Sequence, residues 1–369
     1  MAKSNFDGNF FVFCKNPDND IKDIIASNIN LHFTRIKPTF IDKLYLTLYN
    51  KFNRVIKKLS KKKDLLDLIL RENKIDIIHT PIQDIALRPG VKTITTLHDV
   101  QELHHPEFFT SAERSFRATH YKKCIDNADA VIVSYNHVKK DILRYFAKPE
   151  NQVHEVLLDM QDLWFENFKA EHTNALNKFD LPESFLLYPA STWAHKNHSN
   201  LLKAIKLLDN RIKLVLTGNP TKYYDDVLLP YIKNNKLEER VFNLGVVSDE
   251  ELFALYHSCR AVVIPTLYEA GSFPLMESIL MNIPVVCSDV TSLPETIGDM
   301  KFVFDPMDIF DIKKKISLIW FNEGYRKKNI TLLKVQAKKL MYNNASKKIQ
   351  SIYKSLILDS HFTGSDSVQ

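Results

Sequence analysis

Residues 265–294 read PTLYEAGSFPLMESILMNIPVVCSDVTSLP, and the order of features in this stretch decides the fold. Just before it, Ala261–Pro265 is a short apolar run that ends in proline. A loop follows with one small flexible residue, Gly271, and a helix is expected to begin at Ser272 to Phe273 with Pro274 in its first turn, where proline is tolerated. Pro284–Ser288 is the next apolar run. Continuous apolar strands joined through a helix indicate a parallel sheet covered on both faces. Ligands of such sheets gather at the carboxyl ends of the strands, so the residues just after each run are the ones to weigh.

The same alternation extends in both directions. Further apolar runs stand at Phe10–Phe13, Leu31–Thr34, Ile75–His79, Thr93–Leu97, Ala130–Val133, Phe185–Tyr188, Lys213–Thr217 and Val241–Leu244. Helical patterns fill the gaps. Ser248-Asp-Glu-Glu251 is a capping box, with Leu252, Leu255, Tyr256 and Cys259 as the expected buried stripe. Val138, Ile142 and Leu143 give the helix after Ala130–Val133 its apolar face. The alternation weakens between about Met160 and Pro182, a polar, irregular segment that suits a domain boundary. The reading is therefore α/β, with two doubly wound parallel-sheet domains facing a cleft. The expected division is an N-terminal domain over 1–165, a C-terminal domain over 166–340, and a helix and tail over 341–369 that pack back on the N-terminal domain.

Composition narrows the function classes. With 369 residues, 45% hydrophobic and 25% charged, the chain is long enough for two globular domains. No apolar run reaches the roughly 18 residues of a membrane span, and the first residues lack the apolar core of a signal peptide. The expectation is a cytoplasmic protein. Its four cysteines, Cys14, Cys124, Cys259 and Cys287, are scattered without a Cys-x-x-Cys pair, which argues against structural zinc. Net charge is +6, with a local excess in KFNRVIKKLSKKK over Lys51–Lys63. That stretch reads as a solvated helix face or as a peripheral contact with an anionic membrane surface. No nucleic-acid-binding motif accompanies it.

Chemistry concentrates around the quoted stretch. The first-turn N–H groups of the helix at Ser272–Phe273 have no partners inside the helix, and the helix dipole is positive there. This makes an anion site suited to a diphosphate. Glu269 precedes the helix and Glu277 lies within its first turns, eight residues on. One carboxylate can accept from a sugar hydroxyl and the other from a ribose diol; taken alone, two solvated glutamates near a helix start explain them as well. Lys196 follows the run at Phe185–Tyr188, and His98-Asp99 follows the run at Thr93–Leu97. A solvated lysine, and a helix cap beside a packed histidine, are the plain alternatives.

The ordered series resembles the retaining nucleotide-sugar glycosyltransferases of family 4, which have the two-domain GT-B fold. Their E-x7-E motif matches Glu269-Ala-Gly-Ser-Phe-Pro-Leu-Met-Glu277. Flanking matches are Phe242-Asn-Leu-Gly245, Asn282-Ile-Pro-Val-Val-Cys-Ser-Asp289 and Ser292-Leu-Pro-Glu-Thr-Ile-Gly298, and the likeness runs from about Asp76 to Pro306. The resemblance implies that Glu269 contacts the donor sugar, that Glu277 contacts the nucleotide ribose, and that Gly271, Ser272 and Phe273 offer backbone N–H groups to the donor. It implies that Lys196 binds the diphosphate and that His98 lies close to the transferred sugar. The family's arginine falls at Ser191, so His195 or His198 is expected to take its place. Bacterial mannosyl- and related transferases of surface polysaccharide assembly have the most similar motif and loop. The implied reaction is transfer of a hexose, such as mannose, from a nucleotide sugar to a glycan or lipid-linked acceptor. Anomeric configuration is retained, and neither metal nor cofactor takes part.

The start of the chain departs from the family. The family's first strand and Gly-rich loop have no match, and Asn9-Phe-Phe-Val-Phe-Cys14 reads as the second strand. This departure motivates one rival reading, a non-catalytic remnant or binding subunit; a second rival is a nucleotide-sugar epimerase on the same fold.

Overall fold

The computed structural model describes residues 10–14, 31–35, 65–157, 160, 164–168 and 176–363. The basic stretch Lys51–Lys63 and residues 1–9 and 15–30, on which the reading of the first strand and loop turns, lie outside the described residues. By its contacts the chain forms two compact units. One comprises residues 1–96, 123–132 and 344–369; the other comprises residues 97–122 and 133–343. Contacts thus group the chain differently from a cut near residue 165: the segments after Thr96 and Ile132 belong with the C-terminal strands.

In the first unit, β1 (Phe10–Cys14) and β2 (Leu31–Arg35) pair in parallel. A second parallel sheet has β3 (Ile77–Thr80), β4 (Lys92–Thr96) and β5 (Ala130–Val133) side by side. The Asp129 carboxylate accepts from the Thr93 backbone N–H at 2.8 Å and the Lys92 ammonium at 3.1 Å, fixing the entry to β5. The half-buried imidazole of His79 is engaged on both nitrogens, Nδ1 with the Tyr353 hydroxyl at 2.7 Å and Nε2 with Thr96 Oγ1 at 2.8 Å. Tyr353 lies in the last helix, Ala345–Thr363, so this bond ties the C-terminal helix to the sheet within the unit. Burial pushes the His79 pKa down to about 4.

The second unit begins where the chain leaves β4. It contains β6 (Val153–Glu155) and a six-stranded sheet of β7 (Leu186–Pro189), β8 (Leu214–Thr217), β9 (Val241–Asn243), β10 (Ala261–Ile264), β11 (Val285–Ser288) and β12 (Val303–Phe304). Within this unit Val156, just after β6, donates its N–H to the Val133 carbonyl at 2.8 Å. The large sheet has the order β12-β11-β10-β7-β8-β9, and each recorded pair in it is parallel. Its strands are apolar and buried on both faces, as a doubly covered parallel sheet requires. From β7 the chain winds outward through β8 and β9, then returns to the other side of β7 with β10. The reversal leaves a crevice at the carboxyl ends of β7 and β10, the position where such sheets bind ligands.

All ten apolar runs read from sequence lie on observed strands, while β6 and β12, of three and two residues, were too short to form a pattern. Among the described residues, no helix is long and apolar enough to cross a membrane.

Candidate active site

The two loops at the reversal point bring the first pair of expected residues together. After β7 the chain passes through Ser191 and a short 3-10 turn, Ala194–Lys196. After β10 it passes through Thr266 and Glu269 to the helix start. Leu267 donates its backbone N–H to the His195 carbonyl at 2.8 Å, and the Thr266 hydroxyl donates to the same oxygen at 3.1 Å. Asn197, at φ 59° and buried, donates its amide to the carbonyls of Pro265 and Pro306, both at 2.9 Å. These bonds hold the loops edge to edge. Lys196 Nζ then reaches both carboxylate oxygens of Glu269, at 2.8 and 2.7 Å. Glu269 is only 9% exposed, so this is a sheltered ion pair and not a pair of solvated side chains. The Thr291 hydroxyl accepts from the Glu269 backbone N–H at 3.2 Å.

The next helix, α1 (Phe273–Leu280), starts as expected, with Pro274 near its N-terminus. Ser272 is its N-cap residue, buried, yet its hydroxyl does not cap the helix. The first-turn N–H groups therefore remain without intrahelical partners. Gly271 sits against Tyr135: a Cβ built on it would come within 2.6 Å of the tyrosine ring. Glycine is needed here for close approach and not for a positive φ. The Tyr135 hydroxyl in turn donates to Met276 Sδ at 3.4 Å, locking the loop against α1. Phe273 is 55% exposed.

Glu277 occupies the second turn of α1, apart from the Lys196–Glu269 pair. The indole Nε1–H of Trp164 donates to its Oε1 at 2.8 Å, and the Tyr256 hydroxyl donates to Oε2 at 2.7 Å. Each carboxylate oxygen thus has one firm donor. Among the described residues, no hydrogen bond or ion pair joins Glu277 to Glu269.

Burial weighs against a charged form of His195 and His198, the residues expected to stand in for the family's arginine. His198 is fully buried with its ring 4.7 Å from that of Tyr188. Burial, helped by the nearby charge of Lys196, pushes its pKa down to about 3. Burial also pushes His195 down to about 4, with Lys196 and His105 adding to the effect. Burial favours the neutral imidazole at both positions, and a neutral imidazole keeps one N–H to donate. Ser191 donates no charge either; its carbonyl accepts from Trp193 N–H at 2.8 Å, and its backbone lies hard against Gly218.

His98 is half-buried and Asp99 follows it at the end of β4. The Asp99 carboxylate accepts from the Gln101 N–H at 3.1 Å and from Arg117 at 3.3 Å, so it lies against the entry to the short helix Gln101–His104 and anchors an arginine. Val100, not Asp99, is the N-cap residue of that helix, and no side chain caps it. His104 and His105 from the same segment pack on the buried Tyr268 ring, with centroids at 5.6 and 6.1 Å, and His137 packs on it at 6.2 Å. Tyr268 immediately precedes Glu269, so the segment that begins at His98 is seated beside the Glu269 loop. Among the described residues, no hydrogen bond or ion pair joins His98 to the Lys196–Glu269 pair.

Sequence reasoning missed Tyr135, Trp164, Asn197, Tyr256 and Thr266. Tyr256 lay in the expected buried stripe, where its hydroxyl gave no signal. Trp164 lay in the irregular segment taken for a boundary.

Comparison with known proteins places both halves. The family model described as Glycosyltransferase Family 4 matches residues 11–156, and the one described as Glycosyl transferases group 1 matches residues 171–332. The O-antigen chain mannosyltransferase B of Escherichia coli is 29% identical over 292 residues, which cover 78% of this chain and 76% of that protein. The serotype-specific mannosyltransferase WbdA of Escherichia coli is 26% identical over 243 residues, 63% of this chain but 30% of that longer protein. Among solved structures, a glycosyltransferase from Rickettsia africae aligns with a TM-score of 0.68 at 17% identity, covering 94% of this chain and 90% of that one.

Proposed function

Because the chain belongs to the family 4 glycosyltransferases of the GT-B fold, we propose that it transfers a hexose, mannose, from a nucleotide-sugar donor to a glycan or lipid-linked acceptor in bacterial surface polysaccharide synthesis. The observation that carries this reading is the convergence at the sheet reversal of Lys196, Glu269 and the open N-terminus of α1. A donor diphosphate needs positive charge and N–H donors, and both are there. Lys196 has three ammonium hydrogens and spends two on Glu269, which leaves one for a phosphate oxygen. Glu269, held by that ammonium, is positioned to accept from the hydroxyls of the donor sugar. Glu277, held from two sides, accepts from the ribose. In the reaction the bond between the anomeric carbon and the diphosphate oxygen breaks. A bond from that carbon to the acceptor oxygen forms on the same face, and the acceptor proton passes to the leaving diphosphate oxygen. Developing charge on the diphosphate is met by Lys196 and the helix start, so the chemistry proceeds without a metal ion or cofactor.

The relatives named as mannosyltransferases favour transfer over the epimerase and remnant readings. The acceptor of such a reaction is carried on lipid, and the basic stretch Lys51–Lys63 supplies a peripheral hold on an anionic inner membrane face. The test is a panel of UDP- and GDP-sugars incubated with and without a lipid-linked glycan acceptor, in chelator. Fastest release of nucleotide from a mannose donor, dependent on acceptor and indifferent to chelator, with the donor's anomeric configuration kept in the product, supports the reading. Donor turnover without acceptor would point to the epimerase.

A further inference from the structure

Glu277 is held by a device that the family motif does not contain. Its two donors come from different places in the chain. Tyr256 lies in helix α2 (Asp249–Ser258), a capping-box helix with Ser248 Oγ accepting from Glu251 N–H and Glu251 reaching back to Ser248 N–H at 2.8 Å. Trp164 lies in a 3-10 turn, Trp164–Asn167, well before β7. The same helix seats both. Phe253 and Tyr256 stand three residues apart and share a helix face. Phe253 receives the ring of Phe168 at 5.6 Å, and Phe168 receives Trp164 at 6.1 Å. Phe165 packs edge-on against Trp164 at 5.5 Å. The aromatic ladder fixes where the indole N–H points, and it points at Glu277 Oε1.

A glutamate has three rotatable bonds, and an unrestrained carboxylate binds a diol only after losing that freedom. With one donor on each oxygen the Glu277 plane is set in advance, and each oxygen keeps acceptor capacity for a ligand hydroxyl. We infer that Trp164 is a positioning residue for the donor nucleotide: with Tyr256 it orients the Glu277 carboxylate to receive the ribose hydroxyls. The inference rests on the assignment of Glu277 to the ribose given above. It also makes the segment before β7 part of the nucleotide site and not a plain connector.

The test compares UDP and GDP with their 2′,3′-dideoxy counterparts by calorimetry, on wild type, Trp164→Phe, Tyr256→Phe and Glu277→Gln. Phenylalanine keeps the aromatic packing and removes only the N–H. Wild type should prefer the ribonucleotide by roughly tenfold or more, the scale of one charge-assisted contact. Trp164→Phe should lose a large part of that preference while binding the dideoxy compound as wild type does. Adding Trp164→Phe to Glu277→Gln should then change little, since the partners act as one unit. If Glu277→Gln abolishes the preference and Trp164→Phe leaves it whole, or weakens both ligands equally, the positioning role is overturned and the ribose assignment stands. If Glu277→Gln itself leaves the preference intact, the ribose assignment fails and the inference fails with it.

Discussion

The meeting of Lys196 and Glu269 is a matter of two residues 73 positions apart placed by one reversal of strand order. Sequence reading found both because each follows an apolar run, and the family motif gave them roles. It did not find their mutual bond, since nothing in spacing says which post-strand loops abut. It did not see the burial of the two histidines beside Lys196 for a similar reason. An imidazole written next to a lysine looks basic, while burial in the folded protein disfavours its charged form. Lys196→Ala should therefore find no substitute nearby. It removes a charge-assisted contact of about 1.5–3 kcal/mol, roughly ten- to 150-fold in affinity for the nucleoside diphosphate. The loss should lie toward the upper end, because Glu269 is left without its counter-charge beside the phosphates. Calorimetric titration of the free nucleoside diphosphate reads it, and an unchanged affinity would remove Lys196 from the site.

At the scale of elements, the long strands and the helix at Phe273 were legible because their residues obey period and capping rules. What was not legible is how loops press on one another. Gly271 stood out as the flexible residue of its loop, yet its φ is ordinary, and what excludes a side chain is the Tyr135 ring from the end of β5. Gly271→Ala should thus destabilise the protein by about 1–3 kcal/mol through overpacking, measured by urea unfolding. Shortening the opposing side chain, as Tyr135→Leu, should restore much of that loss in the double variant. A neutral Gly271→Ala would mean that the close approach is relaxed in solution. The same scale explains Trp164: an indole in an irregular segment carries no periodic signal, and only the packing on Phe168 and Phe253 gives it a direction.

For the whole molecule, three imidazoles that are buried or half-buried set a dependence on pH. His79, His195 and His198 have folded pKa values near 4, 4 and 3. In the unfolded chain each titrates near 6.5. Below that value the unfolded chain binds protons that the folded protein refuses, so stability is fully present above about pH 6.5 and falls as pH drops toward the folded values. At pH 5.5 each contributes a loss of about 1 kcal/mol. Urea midpoints should fall between pH 7.5 and 5.5, and the fall should be smaller in His198→Gln. An equal fall in that variant would show that His198 titrates normally in the fold. The two-domain parallel architecture itself was legible from the alternation of runs and helices. The grouping of residues 97–122 with the C-terminal strands was not, because it depends on side chains such as Tyr268 and His104 packing at long range.

The central claim is that Glu269 serves the sugar while the phosphates and ribose are held elsewhere, and Glu269→Gln tests it most directly. The measurement pairs two readings on one variant: acceptor-dependent turnover of the preferred nucleotide sugar, and affinity for the matching nucleoside diphosphate. Glutamine keeps the shape and one acceptor oxygen but gives up the charge that Lys196 neutralises. Turnover should fall by about a hundredfold or more, the scale of losing one electrostatic contact to the reacting sugar, while nucleoside diphosphate affinity holds or rises as Lys196 is released. Turnover near the wild-type rate, or a loss confined to nucleotide affinity, would contradict the account.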